Sequence, residues 1–184
     1  MKRTSGVVVT YSSQTAMPMR AHQRALLAEE AKAIATLKQY EFGGQYDESK
    51  DYGRHVFFVP DDTLLEKEAH ARGIRTRDDL YGGVVPYPFA KTKSITHPLV
   101  DDHADRPDGW SKEFGERVRE VVLMGFTAFS ARDARSAVRR MLQSGSARLK
   151  EPLHAGGKGQ TVIKTMAELD SVLERLPADD IGRH

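Results

Sequence analysis

Two lysines and three glycines fall within ten residues of one another in Lys150-Glu151-Pro152-Leu153-His154-Ala155-Gly156-Gly157-Lys158-Gly159, followed by Gln160. The stretch from Ala147 to Ile163 reads as a strand ending at Lys150, a glycine loop, and a return strand. Glycines without Cβ let backbone N–H groups close on an anion, and a lysine ammonium is a compact positive charge. The chemistry on offer is phosphate binding, with Lys150 and Lys158 as charge partners and Gly156, Gly157 and Gly159 as the cradle. Taken alone, such a loop is also a common structural hairpin turn. The Walker pattern is absent, because Gly159 follows Lys158 where Ser or Thr is required, and no Gly-x-Gly-x-x-Gly follows the first strand. A phosphate-loop NTPase and a standard dinucleotide site are both disfavoured.

Other residue types offer less. Asp101, Asp102, His103 and Asp105 with His97 could hold a divalent ion, but one-sided loop clusters are more often caps and solvated turns, so no metal site is assigned. Ser12 and Ser13 follow the first strand, at the edge where open α/β sheets place ligands, and a simple turn explains them equally well. His154 next to the glycines reads as exposed. No Gly-x-Ser-x-Gly elbow marks a hydrolase.

Lys and Arg number 28 against 26 for Asp and Glu, a formal charge of +2 over 184 residues. No whole-molecule field therefore draws the chain to nucleic acid or membrane. The absence of cysteine excludes disulfides, thiolate metal sites and cysteine nucleophiles. The apolar run Val7-Val8-Val9 is too short for a signal or a membrane span, so a cytoplasmic location is the default expectation. Self-association is compatible with everything above.

The elements that must position the loop follow from periodicity. Gly6 to Thr10 reads as a buried parallel strand, and Leu27, Ala31, Ile34 and Leu37 recur at helical spacing between about Pro18 and Tyr40. Gly43-Gly44 is expected to break the pattern before a second strand, Val56 to Val59. Thr63 and Glu66 have capping-box spacing for a short helix stopped by Gly73. Leu80 to Phe89 holds a third strand and a proline-stiffened crossing, and Asp101 to Gly109 reads as loop. Ser111 to Val122 is expected as a helix buried through Phe114, Val118, Val121 and Val122, with Trp110 anchoring it by burial. Gly125 to Phe129 reads as extended. Ser130 and Asp133 start a helix buried through Ala134, Val138, Met141 and Leu142. Thr165 and Glu168 start another, with Leu169, Val172, Leu173 and Leu176 inside and Pro177 at its end.

A capped helix, a lysine strand, a glycine loop and a second capped helix, in that order, resemble the N-terminal half of an ATP-grasp enzyme. Arg148 to Pro152 looks like the lysine strand and Gly156 to Gln160 like the loop. Thr92-Lys93-Ser94-Ile95-Thr96-His97-Pro98-Leu99 is similar to the lysine-containing segment that begins this lobe, which adds Lys93 to the nucleotide-binding residues. The whole string also resembles a family of uncharacterised bacterial proteins of unknown function that are longer than this chain.

The resemblance implies an α/β fold, with a small open parallel-sheet lobe at 1–89 followed by an α+β ATP-grasp-like nucleotide-binding lobe at 90–184. It implies ATP as ligand and ATP-dependent ligation through an acylphosphate in a complete parent, where Mg²⁺ is also expected; the second substrate is unknown. In that superfamily the metal-binding carboxylates and the adenine hinge come from the C-terminal half, so the chain is expected to be a fragment or a shortened relative. No catalytic residue is named. The alternatives are a non-catalytic nucleotide-binding or interaction module, and a structural α/β domain whose hairpin binds nothing.

Overall fold

The run Gly6-Val7-Val8-Val9-Thr10-Tyr11 forms β1 (Gly6–Tyr11), and all six residues are buried, which is why the segment is apolar without alternation. In the computed structural model, which describes residues 5–13, 18–154 and 158–176, the chain divides into two compact units, Met1–Pro86 and Tyr87–His184. In the first unit Val7, Val9 and Tyr11 face a cluster with Phe58, Leu64, Ala69, Ile74 and Leu80. Val8 faces the opposite cluster, with Ala31, Ala35, Phe57 and Val59.

Helix α1 (Ala21–Lys38) covers that second face through Ala31 and Ala35. Leu37, expected in its buried stripe, is 84% exposed. It lies two residues beyond Ala35, about 200° around the helix, and the seam between alanines and sheet is too narrow to include it.

Strands β2 (Glu41–Gln45) and β3 (His55–Pro60) flank β1 in the order β2-β1-β3, both parallel to it. Gly43 and Gly44, expected to interrupt structure, lie inside β2. A Cβ on Gly43 would stand 2.6 Å from Val7 Cγ2, and Gly44 (φ 80°) coincides with the register shift between Val8 and Thr10. Close approach and a bulge are what glycine provides there.

The expected cap at Thr63 is also replaced by pairing. Leu64 N donates to Gly83 O at 3.0 Å, so Leu64–Leu65 becomes β4 and α2 (Glu66–Ala71) starts without a side-chain cap. Strand β5 (Val84–Val85) runs parallel to β4.

The second unit begins with two 3-10 turns, Pro88–Lys91 and Lys93–Thr96. Helix α3 (Lys112–Arg117) and a 3-10 turn, Arg119–Val121, stand where one helix to Val122 was expected. Its buried residue is Gly115, whose Cα region packs on the backbone of His97 and Pro98, so Phe114 and Val121 are exposed instead of inside. Thr127 bridges to Leu99 in the parallel sense, consistent with an extended Gly125 to Phe129.

Helix α4 (Ala131–Met141) is capped as its sequence reads: Ser130 Oγ accepts from Asp133 N and donates to Asp133 Oδ2. Strands β6 (Ala147–Lys150) and β7 (Gln160–Ile163) pair antiparallel, and α5 (Met166–Leu173) starts with Thr165 Oγ accepting from Glu168 N. Ala134, Val138, Ala147, Ile163, Leu169 and Leu173 close the core between hairpin and helices. Half-buried Trp110 packs edge-on against Phe129 and tilts on Phe89, at centroid distances of 5.1 and 5.3 Å. Pro177, the expected stop, lies outside the described residues.

The fold is thus mixed α/β, with small parallel and antiparallel sheets and five α-helices among the described residues. None of these helices is long and apolar enough to cross a membrane.

Candidate functional site

The register of the hairpin sorts its side chains. Ala147 pairs with Ile163, Arg148 with Val162, Leu149 with Thr161 and Lys150 with Gln160. Strand side chains alternate, so Ala147, Leu149 and Ile163 turn toward α4 and α5 while Arg148, Lys150, Gln160 and Val162 share the outer face. Arg148 Nη1 donates to Gln160 Oε1 at 3.2 Å across that face. Lys150 and Lys158 are exposed, and neither forms an ion pair among the described residues.

Beyond Lys150 the loop is closed by Glu151 N donating to Gly159 O at 2.8 Å. Lys93, from the second 3-10 turn, reaches across 61 residues of sequence to donate to His154 O at 2.7 Å. The structure therefore brings Lys93 to the loop, and sets Lys150 beside Gln160 at the loop's base. Gly156 and Gly157 lie outside the described residues.

His154, expected to stand exposed, is instead half-buried with its ring on Gly159. Its Nδ1 lies 3.0 Å from Glu151 Oε2, an ion pair when the imidazole is protonated, though not aligned as a hydrogen bond. A Cβ on Gly159 (φ 59°) would stand 2.6 Å from His154 Cγ. Gly159→Ala is expected to cost about 1–3 kcal/mol, from left-handed strain and the ring contact together. Adding His154→Ala should recover the contact part only. A melting-temperature series on the two variants checks this, and an unchanged Gly159→Ala melt would contradict the loop geometry.

The aspartates near His97 do not converge. Asp101 Oδ1 accepts from His103 N in a local turn, and His97 Nε2 meets Leu123 O. Asp102 bonds Lys112 at 2.6 Å, and that hydrogen bond holds its carboxyl below the usual range. Among the described residues no group of three His, Asp or Glu could hold a metal ion.

A second polar constellation occupies the carboxyl edge of the parallel sheet, where Ser12 and Ser13 drew notice. Ser12 is exposed. Ser13 is buried: its N donates to Asp61 Oδ1 at 2.8 Å and its Oγ to Glu68 Oε2 at 3.1 Å, while Tyr11 OH donates to Glu68 Oε1 at 2.8 Å. Glu68 is only 8% exposed. Burial pushes the Asp61 carboxyl up despite the Ser13 N–H, and burial with the Glu68 bond raises the Tyr11 phenol. Both Glu68 oxygens are engaged, so the network braces the ends of β1 and α2. Glu68 and Asp61 were missed in the sequence. The available signal was a glutamate next to buried Ala69, four residues after Leu64.

Comparison with curated proteins and with solved structures finds no match. Residues 8–184, nearly the whole chain, match the model of a family described as protein of unknown function (DUF3182), and the chain belongs to that family.

Proposed function

We propose that this chain binds the phosphates of a nucleotide, ATP or ADP, on the loop and outer face of the β6–β7 hairpin, in the manner of the phosphate-gripping lobe of an ATP-grasp ligase. The observation that carries the reading is the Lys93–His154 contact, which draws a third lysine from a distant segment to the loop that Lys150 and Lys158 flank. Structural packing alone gives no reason to gather three ammonium groups beside one turn, since like charges repel; a polyanion does. Lys150 and Lys158 would act as point charges, and Lys93 would exchange its carbonyl partner for a phosphate oxygen. Glu151 is an opposing charge at the base, with its Oε2 3.0 Å from His154 Nδ1. In an ATP-grasp enzyme Mg²⁺ would share the phosphate charge with such lysines. The reaction class that goes with this reading is acylphosphate-forming ligation, and the alternative is a nucleotide-binding module without catalysis.

Titration calorimetry and thermal melts with ATP and ADP, with and without Mg²⁺, are the direct test. At a ligand concentration a hundredfold above the dissociation constant, the folded state should gain about 2.7 kcal/mol. Lys150→Met should weaken binding by about 10- to 100-fold, the worth of a hydrogen bond to a charged group. Its stability should move by less than about 0.5 kcal/mol, because an exposed unpaired lysine supports little. No heat and no shift at millimolar nucleotide would overturn the reading. ADP release with Mg²⁺ and a panel of carboxylates and amines then separates a ligase from a non-catalytic binder.

A further inference from the structure

The unit Met1–Pro86 contains a hollow of about 540 Å³, open to solvent, that neither the hairpin nor the Glu68 network uses. Its floor is apolar: Ile74 is 2% exposed and Leu80 8%, and Val85 of β5 forms part of the wall. Its charged rim is Arg75 and Arg77 against one carboxylate, Glu66 of α2, whose Oε1 lies 3.9 Å from His70 Nε2, so the two guanidiniums outnumber the acid. Among the described residues neither guanidinium has a side-chain partner, whereas Arg54 pairs with Glu41 and Arg72 with Glu48.

The rim is also rigid. Asp79 Oδ2 accepts from Arg75 N at 2.9 Å, Thr76 N at 2.7 Å and Thr76 Oγ at 3.1 Å, tying the turn that carries both arginines. The same turn is sewn to the sheet by Phe58 N donating to Asp79 O and Tyr81 N to Phe58 O, both at 2.8 Å. Those three bonds, with Arg75 and Thr76 as donors, hold the Asp79 carboxyl below its ordinary range against burial, so its oxygens stay committed to the turn. Exposed guanidiniums carried on a fixed turn beside an apolar floor match one kind of ligand: a planar or tetrahedral anion to meet the forks, on an apolar body to cover the floor. The size of the hollow falls within the range of small-molecule pockets, about 300–1,000 Å³.

We propose that this hollow is a binding site for a small organic acid, an anionic head on an apolar body, with Arg75 and Arg77 taking the head and Ile74, Leu80 and Val85 the body. The site is independent of the nucleotide reading and stands or falls without it.

The test uses the full chain and four probes, hexanoate, hexyl phosphate, hexanol and acetate, followed by methyl NMR. Hexanoate or hexyl phosphate should shift the Ile74, Leu80 and Val85 methyl signals saturably, and the tighter of the two identifies the head group. Hexanol and acetate, each lacking one half of the recognition, should bind at least about tenfold more weakly. Arg75→Gln/Arg77→Gln should reduce affinity for the better anion by about tenfold or more with an unchanged melting temperature, since both side chains are exposed. The proposal is overturned if the six-carbon anions bind no better than hexanol and acetate, if the shifts fall elsewhere on the chain, or if the double variant binds the anion as the parent does. Should the double variant melt early, the methyl map and the four-probe ranking on the parent chain decide alone.

Discussion

Glu68→Leu should lower the stability of the Met1–Pro86 unit by about 2–4 kcal/mol, because it takes away the acceptor that two buried hydroxyls share. Tyr11 OH and Ser13 Oγ both end on the Glu68 carboxylate, and Tyr11 and Ser13 are 5% and 7% exposed. Leucine is close in volume to glutamate, so the loss is one of hydrogen bonding rather than of packing. Adding Tyr11→Phe to Glu68→Leu should restore about 1 kcal/mol, by removing one stranded donor, although the same Tyr11→Phe change in the parent chain is destabilising. Urea unfolding of the four proteins of that cycle is the measurement. Additive effects would mean that tyrosine and glutamate do not share a bond.

Ile163→Ala should cost the second unit about 2–5 kcal/mol, the usual range for emptying a fully buried branched site. Ile163 has no exposed surface and stands opposite Ala147, among Leu169, Leu173 and Val138, so no larger neighbour on the hairpin can close the gap. Ile163→Val, which removes one methyl, should cost about 0.5–1.5 kcal/mol. Because Ile163 is what fastens β7 to the helices, hydrogen exchange at Leu149 and Thr161, a hydrogen-bonded pair of the hairpin, should accelerate in Ile163→Ala more than exchange in α1. A loss below about 1 kcal/mol for the alanine variant would place the hairpin off the core.

Much of this architecture was legible because local and tertiary preferences agree in it. The continuous apolar run of β1 is buried on both faces, and the caps at Ser130 and Thr165 form with the hydroxyl acceptors their spacing implies. The failures occur where tertiary contact overrides a local signal. Gly43-Gly44 looks like punctuation until Val7 is seen to lie against it, and Thr63 loses its cap because Leu64 has a strand partner twenty residues on. Phe114 and Val121 have helical spacing, but the helix docks through Gly115, a residue without a side chain to count.

At the hairpin, the strand, loop and return strand were legible in the sequence, whereas the pairing of Lys150 with Gln160 is a register that alternation alone does not fix. The approach of Lys93 was carried by resemblance alone, since a contact over 61 residues leaves no periodic trace. Asp61 and Glu68 come from two separate segments, converge only when β1, β3 and α2 assemble, and show no spacing to read.

Trp110 is the only indole in the chain, and it rests among Phe89 and Phe129 in Tyr87–His184. Of the six tyrosines, Tyr11, Tyr40, Tyr46, Tyr52 and Tyr81 lie in Met1–Pro86 and only Tyr87 in the other unit. Red-edge excited emission therefore reports one unit alone, while the phenolic bands of the near-ultraviolet circular dichroism are dominated by the other. The loss of each unit's packing can be followed in a single cuvette, with no label and no truncation, and two midpoints in place of one would reveal at once that the units melt separately.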